Sequence, residues 1–179
     1  MSIRTLAAAV ALSLGLAACV TAPSPAEVRA PQPAKPVDAG RFYSGRWLEI
    51  ARLPMRLTDG CVAGATNYVL VSPTRVDVRD TCQVDTPQGR EKAIGARGEI
   101  LDPGFNARLR ARYLGGLITW DYWILDHADD YSWFISADPT FDKLWIYTRE
   151  VPTVAERDRL VARAAALGYD VSRLEFPAF

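Results

Sequence analysis

From Trp47 to Arg149 the chain is cut at short, regular intervals by turn signals, and the segments between them are rich in β-branched, aromatic and other apolar residues, with alternation in Arg75 to Val84 around Val76 and Val78 and in Phe105 to Leu114. The signals are Ser72-Pro73, Thr86-Pro87-Gln88-Gly89, Asp102-Pro103-Gly104, Gly115-Gly116 and the loop holding His127-Ala128-Asp129. Between them run Trp47 to Leu53, Cys61 to Val71, Arg75 to Val84, Glu91 to Leu101, Phe105 to Leu114, Leu117 to Asp126, Tyr131 to Ala137 and Leu144 to Arg149. The fifth alternates most cleanly. Phe105, Ala107, Leu109, Ala111 and Tyr113 share one face, while Asn106, Arg108, Arg110 and Arg112 share the other, an expected solvated stripe. Eight strands with short turns fill about 100 residues, which leaves no length for crossover helices. Short links demand antiparallel neighbours, and eight such strands can close into an up-and-down barrel around one small ligand. The expected fold class is therefore all-β, an eight-stranded antiparallel barrel.

The period then changes. Thr153 with Glu156 three residues on forms a capping box, and Val154, Leu160, Val161, Ala164 and Leu167 make one helical stripe before Gly168. One C-terminal α-helix of about four turns should pack outside the barrel. The tail after Tyr169 is expected to return as an edge strand.

The N-terminus has another character. Arg4 precedes a run from Leu6 to Leu16 that is apolar or small except for Ser13, followed by Leu16-Ala17-Ala18-Cys19. The run is too short to span a bilayer and reads as the core of a secretory signal. Small residues before a cysteine resemble a bacterial lipobox, which implies cleavage before Cys19 and acylation of its thiol. The expected organisation is a signal peptide over 1–18, a lipidated Pro/Ala-rich tether over 19–40 and a folded domain over 41–179. Pro23, Pro25, Pro31, Pro33 and Pro36 favour extended or disordered chain in that tether.

Composition removes several function classes. Basic and acidic residues balance at 21 each and are scattered, which argues against a nucleic-acid surface. Loss of Arg4 with the signal barely shifts that balance, so membrane attachment would come from lipid and not from charge. One histidine and three cysteines cannot supply a His-rich or four-cysteine metal site. No metal and no cofactor is expected. Five Trp, seven Tyr and six Phe suit a packed or ligand-lined interior.

Three segments resemble one family. Gly45-Arg46-Trp47-Leu48-Glu49-Ile50-Ala51-Arg52 resembles the opening G-x-W motif of the lipocalins, closest to bacterial outer-membrane lipocalins related to apolipoprotein D. Tyr122-Trp123-Ile124-Leu125-Asp126 with Asp130-Tyr131 resembles the motif spanning the sixth and seventh strands, although Asp129 replaces the usual threonine. Leu144-Trp145-Ile146-Tyr147-Thr148-Arg149 resembles the last strand and its closing arginine. The resemblance covers about Phe42 to Phe176. It implies that Trp47 plugs one end of the barrel, that Arg149 lies across it, and that Gly45, Trp47 and Arg149 are structural.

Secretion would place Cys61 and Cys82 in an oxidising compartment. They lie near each other across the Ser72-Pro73 turn, so a disulfide is expected. Glu49 shares parity with Trp47. It points into the barrel towards a headgroup or an arginine, unless a bulge turns it to solvent. Asp126, Asp129 and Asp130 with His127 read as a solvated loop. Parity anchored on the family pattern turns Trp120, Tyr122, Ile124, Trp145 and Tyr147 inward, leaves Trp123 and Leu125 for the helix, and adds Tyr113 and Phe134 to the ligand-facing set. An apolar cup with tyrosine hydroxyls suits a long-chain amphiphile. The resemblance implies a lipid-anchored, non-enzymatic protein of the bacterial outer membrane, facing the periplasm. It would bind fatty acids, lysophospholipids or similar amphiphiles for storage, scavenging or transport, with room for a homodimer. An envelope interaction protein with a filled barrel is the alternative. An enzyme on the same barrel is disfavoured, because no Gly-x-Ser-x-Gly elbow or serine–histidine pairing accompanies any motif.

Overall fold

Residues 28–179 are described by a computed structural model. The expected signal peptide over 1–18, the expected lipidation site Cys19 and the first part of the expected tether lie outside the described residues. Eight antiparallel strands close into a barrel in sequence order: β1 (Ser44–Arg52), β2 (Cys61–Ser72), β3 (Arg75–Val84), β4 (Glu91–Ile100), β5 (Arg108–Tyr113), β6 (Ile118–His127), β7 (Trp133–Ala137) and β8 (Leu144–Thr148). β8 returns to β1 through Leu48–Thr148 and Arg52–Trp145 pairs, so no sheet edge is left between first and last strands. Strand direction defines two ends. The connections before β2, β4, β6 and β8 surround a mouth; those before β3, β5 and β7 lie at the base.

A one-turn helix, α1 (Ala39–Phe42), precedes β1 and closes the base; so short an element carries no periodic signal. The C-terminal helix, α2 (Val154–Ala166), carries the expected capping box, with Thr153 and Glu156 each bonding the other's backbone N–H. Leu160 and Ala164 are buried against the outside of β1, β6, β7 and β8, whereas Val154, counted in the stripe, is exposed. Burying a leucine there contributes roughly 1.5–3 kcal/mol. Trp123 and Leu125 belong to this outer layer, as their parity required.

Three expectations are corrected. The Pro-rich chain over 28–38 is not a free tether. Arg29 and Ala30 donate backbone N–H groups to the Pro139 carbonyl, Ala34 to Leu125 and Val37 to Phe105, and Ala30 and Val37 are buried. Prolines cannot pair along a sheet, but the free N–H groups between them can, so the segment lies as a strap on the barrel from mouth to base. His127 is not in a solvated loop. It ends β6, is buried, stacks on Tyr131 at 4.9 Å, and places its ring nitrogens 2.8 Å from the Ala128 carbonyl and 3.1 Å from the Pro36 carbonyl. The carboxylates around it diverge: Asp126 pairs with Arg163, Asp129 with Lys35, and Asp130 accepts from the Ser132 N–H. Lastly, the tail makes a single bridge, Arg52 to Glu175, and not an edge strand.

The outward arginines of β5 are paired across strands. Arg110 grips Asp121 through two bonds of 2.7 and 2.8 Å, Arg108 meets Asp102 and Arg112 meets Glu99. Exposed pairs of this kind contribute about 0–1 kcal/mol each.

Candidate functional site

The inside of the barrel is divided by height. At the base, Trp47 is fully buried and its Nε1 donates to the Phe42 carbonyl at 3.1 Å. Phe134 meets it edge-on at 4.7 Å, and Phe42 and Tyr43 fill the rest from α1. Arg149 covers the plug from outside. Its guanidinium carbon lies 3.5 Å from the Trp47 ring centroid, and its nitrogens donate to the Ser44, Arg46 and Arg41 carbonyls. Partial burial lowers its pKa, yet its charge is held by a π face and three carbonyls. Gly45 adopts φ of 65°, a left-handed conformation that a β-carbon disfavours.

Above the plug lies a cavity of about 380 Å³, within the range of small-molecule sites. Glu49, Tyr113, Trp120, Tyr122, Trp145 and Tyr147 are on its wall. Ile124 and Phe134 are not, and here the sequence reading is corrected. β6 descends from mouth to base, so each successive inward residue lies deeper, and Ile124 is already level with the plug. Phe134 stacks on Tyr147 at 4.6 Å and meets Trp47, which makes it part of the base. The upper aromatics form their own group: Tyr122 to Trp145 at 5.1 Å, Trp120 to Tyr122 at 6.2 Å, and Tyr113 to Trp120 at 6.3 Å.

Glu49 points inward, and the bulge considered for it does exist, one residue further on. Glu49 pairs with Tyr147 and Ala51 with Ile146, which leaves Ile50 as the extra residue. The shift brings Arg52 to the same interior. Arg52 Nη1 donates to Glu49 Oε1 at 2.7 Å, Nε to Glu175 at 3.1 Å, and Nη2 to the Cys61 and Thr58 carbonyls. Opposite, Gly64 supplies the space: a β-carbon there would lie 3.2 Å from Glu49 Oε1. Burial raises the Glu49 pKa, and Arg52 opposes the shift.

The sequence reading missed one polar centre, Asp80. It follows Val76 and Val78 at every second position of β3, so alternation is the signal that points to it. Its Oδ1 accepts from Thr66 Oγ1 at 2.6 Å and its Oδ2 from the Tyr113 hydroxyl at 2.7 Å; that hydroxyl lies 3.0 Å from Tyr122 OH. Burial raises the Asp80 pKa, and the two hydroxyl bonds oppose it. Burial also raises the pKa values of Tyr113, Tyr122 and Tyr147, so their hydroxyls stay protonated.

Cys61 and Cys82 form a disulfide at the mouth, with Cα atoms 5.4 Å apart. Cys61 lies opposite Val84, so the bridge is diagonal and not directly across. Among the described residues, no group of three His, Cys, Asp or Glu side chains could hold a metal, and no helix is long and apolar enough to cross a membrane.

A lipocalin-like domain model matches residues 37–178. A putative lipocalin of Acanthamoeba polyphaga mimivirus is 31% identical over 140 residues, covering 74% of this chain and 79% of that protein. The temperature-induced lipocalin-1 of Arabidopsis thaliana is 30% identical over 142 residues, covering 74% of each chain. Among solved structures, insecticyanin from the tobacco hornworm Manduca sexta superposes with a TM-score of 0.62 at 18% identity. That likeness covers 84% of this chain and 86% of the other, and it speaks for the fold alone.

Proposed function

The chain belongs to the lipocalin family, and on that premise we propose that it holds one amphiphilic molecule in the cavity above the Trp47 plug. The observation that carries this is the division of the lumen: a base packed solid with aromatics and, above it, about 380 Å³ lined by Trp120, Tyr122, Trp145 and Tyr147. A single apolar chain buried there contributes about 25 cal/mol per Å² before ordering costs. Single-chain amphiphiles of the fatty acid or lysophospholipid kind suit that volume, and storage, scavenging or transport of membrane lipid follows from such binding. Tyrosine hydroxyls and two buried carboxylates would orient the polar end.

The same proposal places the protein at a bacterial outer membrane, facing the periplasm and held by acylated Cys19. Its support is the run Leu16-Ala17-Ala18-Cys19 after a short apolar segment. Two or three acyl chains would anchor it durably, at about 0.8 kcal/mol per buried methylene.

Two experiments test these parts separately. Mass spectrometry of organic-solvent extracts from the purified protein, followed by titration with the compounds found, should give a bound amphiphile. An empty extract together with no binding of a long-chain fatty acid or lysophospholipid would overturn the assignment of those two ligand classes. Cys19→Ser, once exported, should leave the membrane fraction; retention after a salt wash would rule out the lipid anchor.

A further inference from the structure

We propose that Asp80 makes the cup selective for an amphiphile whose polar end is a protonated amine. This rests on the reading above that the cavity holds one amphiphile, and it sets the polar end: it disfavours the fatty-acid carboxylate and keeps amphiphiles that carry an ammonium. Asp80 reaches the cavity wall, and no Lys, Arg or His among the described residues pairs with it. Thr66 and Tyr113 occupy one acceptor direction on each oxygen, whereas a carboxylate offers about four. The remaining directions lack a donor.

The rest of the lumen fits the same ligand chemistry. The one guanidinium near enough to matter, that of Arg52, is already committed to Glu49, Glu175 and two carbonyls. Glu49 has Arg52 beside it and the Lys92 ammonium stays at the rim on the Leu57 carbonyl, so Asp80 is the wall carboxylate that no cation among the described residues pairs with. A ligand carboxylate at this depth would meet like charge in a poorly solvated site. An ammonium would meet a carboxylate, the oxygens of Tyr113 and Tyr122, and the ring faces of Trp120, Tyr122 and Trp145, which attract cations. A neutral hydroxyl could bond Asp80 but would not offset its charge.

The pH dependence follows from the groups facing Asp80, which are Thr66, Tyr68, Tyr113, Tyr122, Lys92 of the neighbouring β4 at the rim and, across the lumen, the Glu49–Arg52 pair and Tyr147. The tyrosines stay neutral, so below the range in which alkylamines lose their proton the titrating acids are Asp80 and Glu49. Amine affinity should rise with pH as Asp80 ionises, and affinity for a matched alcohol should not.

The test uses the full chain carrying Cys19→Ser, titrated with decylamine, decan-1-ol and decanoate while the fluorescence of Trp120 and Trp145 is followed. Decylamine should bind tighter than either by about tenfold or more, as expected for a charge-assisted bond. Asp80→Asn should erase that preference and leave decan-1-ol affinity within about twofold of the parent, since the neutral bond is worth little net. Should the variant fail to fold, the parent's pH series for amine against alcohol decides alone. Decanoate or decan-1-ol binding as well as decylamine would overturn the amine assignment while the cup stands, as would Asp80→Asn retaining the preference or a flat pH series. If none of the three binds, the cup itself is wrong and the assignment falls with it.

Discussion

The base and the upper lumen of this barrel are built from the same residue types on the same strands, yet one is solid and the other hollow. Trp47 and Phe134 at the base meet side chains from outside the sheet, Phe42 of α1 and Tyr43 that caps it, which enter the bore and fill it. Trp120, Tyr122 and Trp145 meet no such insert. A ring of inward aromatics on eight strands does not by itself fill the bore; an added element does. The two regions also differ in what secures them. Packing and a cation over a ring hold the base, and a disulfide joins β2 to β3 at the mouth.

Trp47→Ala should show the largest effect, a loss of about 3–5 kcal/mol in denaturant unfolding, because its cavity is enclosed on every side. If the loss is no greater than for Trp145→Ala, the base is not the tighter half. Reduction of Cys61–Cys82 comes next. The chain-entropy account gives about 3 kcal/mol for a loop of this size, read as a lower melting temperature with the far-ultraviolet spectrum of the folded state preserved. A collapse of the whole spectrum at ambient temperature would mean that the mouth staple also holds the base.

Tyr122→Ala and Trp145→Ala should lower amphiphile affinity about tenfold through lost contact, more than their melting temperatures explain. Trp123→Ala, in the layer under α2, should melt earlier and bind normally while folded. Equal binding by all three would erase the distinction between wall and outer layer. The smallest effect belongs to Asp80→Asn without ligand. Burial holds the Asp80 pKa above its ordinary 3.8, so folding favours the protonated acid. That contribution is complete below about pH 3.8 and is lost as pH rises through the raised folded value. The variant should therefore be the more stable protein at neutral pH, and the difference between the two unfolding curves should close towards acid pH. A difference that does not change with pH would show that Asp80 does not titrate in the folded state.

Strand number, order and the helix were legible because they depend on local signals: turn residues, alternation and a capping box. Wall positions such as Trp120, Tyr122, Trp145 and Tyr147 were legible only through the family motifs that anchor parity, since the apolar runs around them do not alternate by themselves. Depth was not. Parity says that Ile124 and Phe134 point inward, but only the direction of β6 and β7 relative to the plug says that they stop at the base. The bulge at Ile50 was also hidden, because one extra residue in an apolar strand leaves no compositional trace, and with it went Arg52. Asp80 continues the β3 alternation of Val76 and Val78, but a carboxylate in that place reads by residue type as solvent-facing, and only its Thr66 and Tyr113 partners, on other strands, keep it inside. The strap was misjudged for a different reason. Proline-rich chain has no period, so its attachment depends on tertiary partners such as Pro139 and Leu125 that sequence alone does not place.

That strap sets a leash. It leaves the barrel beside Pro139, in the β7–β8 connection at the mouth, and only nine residue steps separate Cys19 from Val28. Fully extended, nine steps reach about 30 Å. A tether free as far as Gly40 would have let the barrel tumble in any attitude. On the proposal that Cys19 is acylated, the pull of the anchor would reach the barrel at its rim beside Pro139 and not at its plugged base.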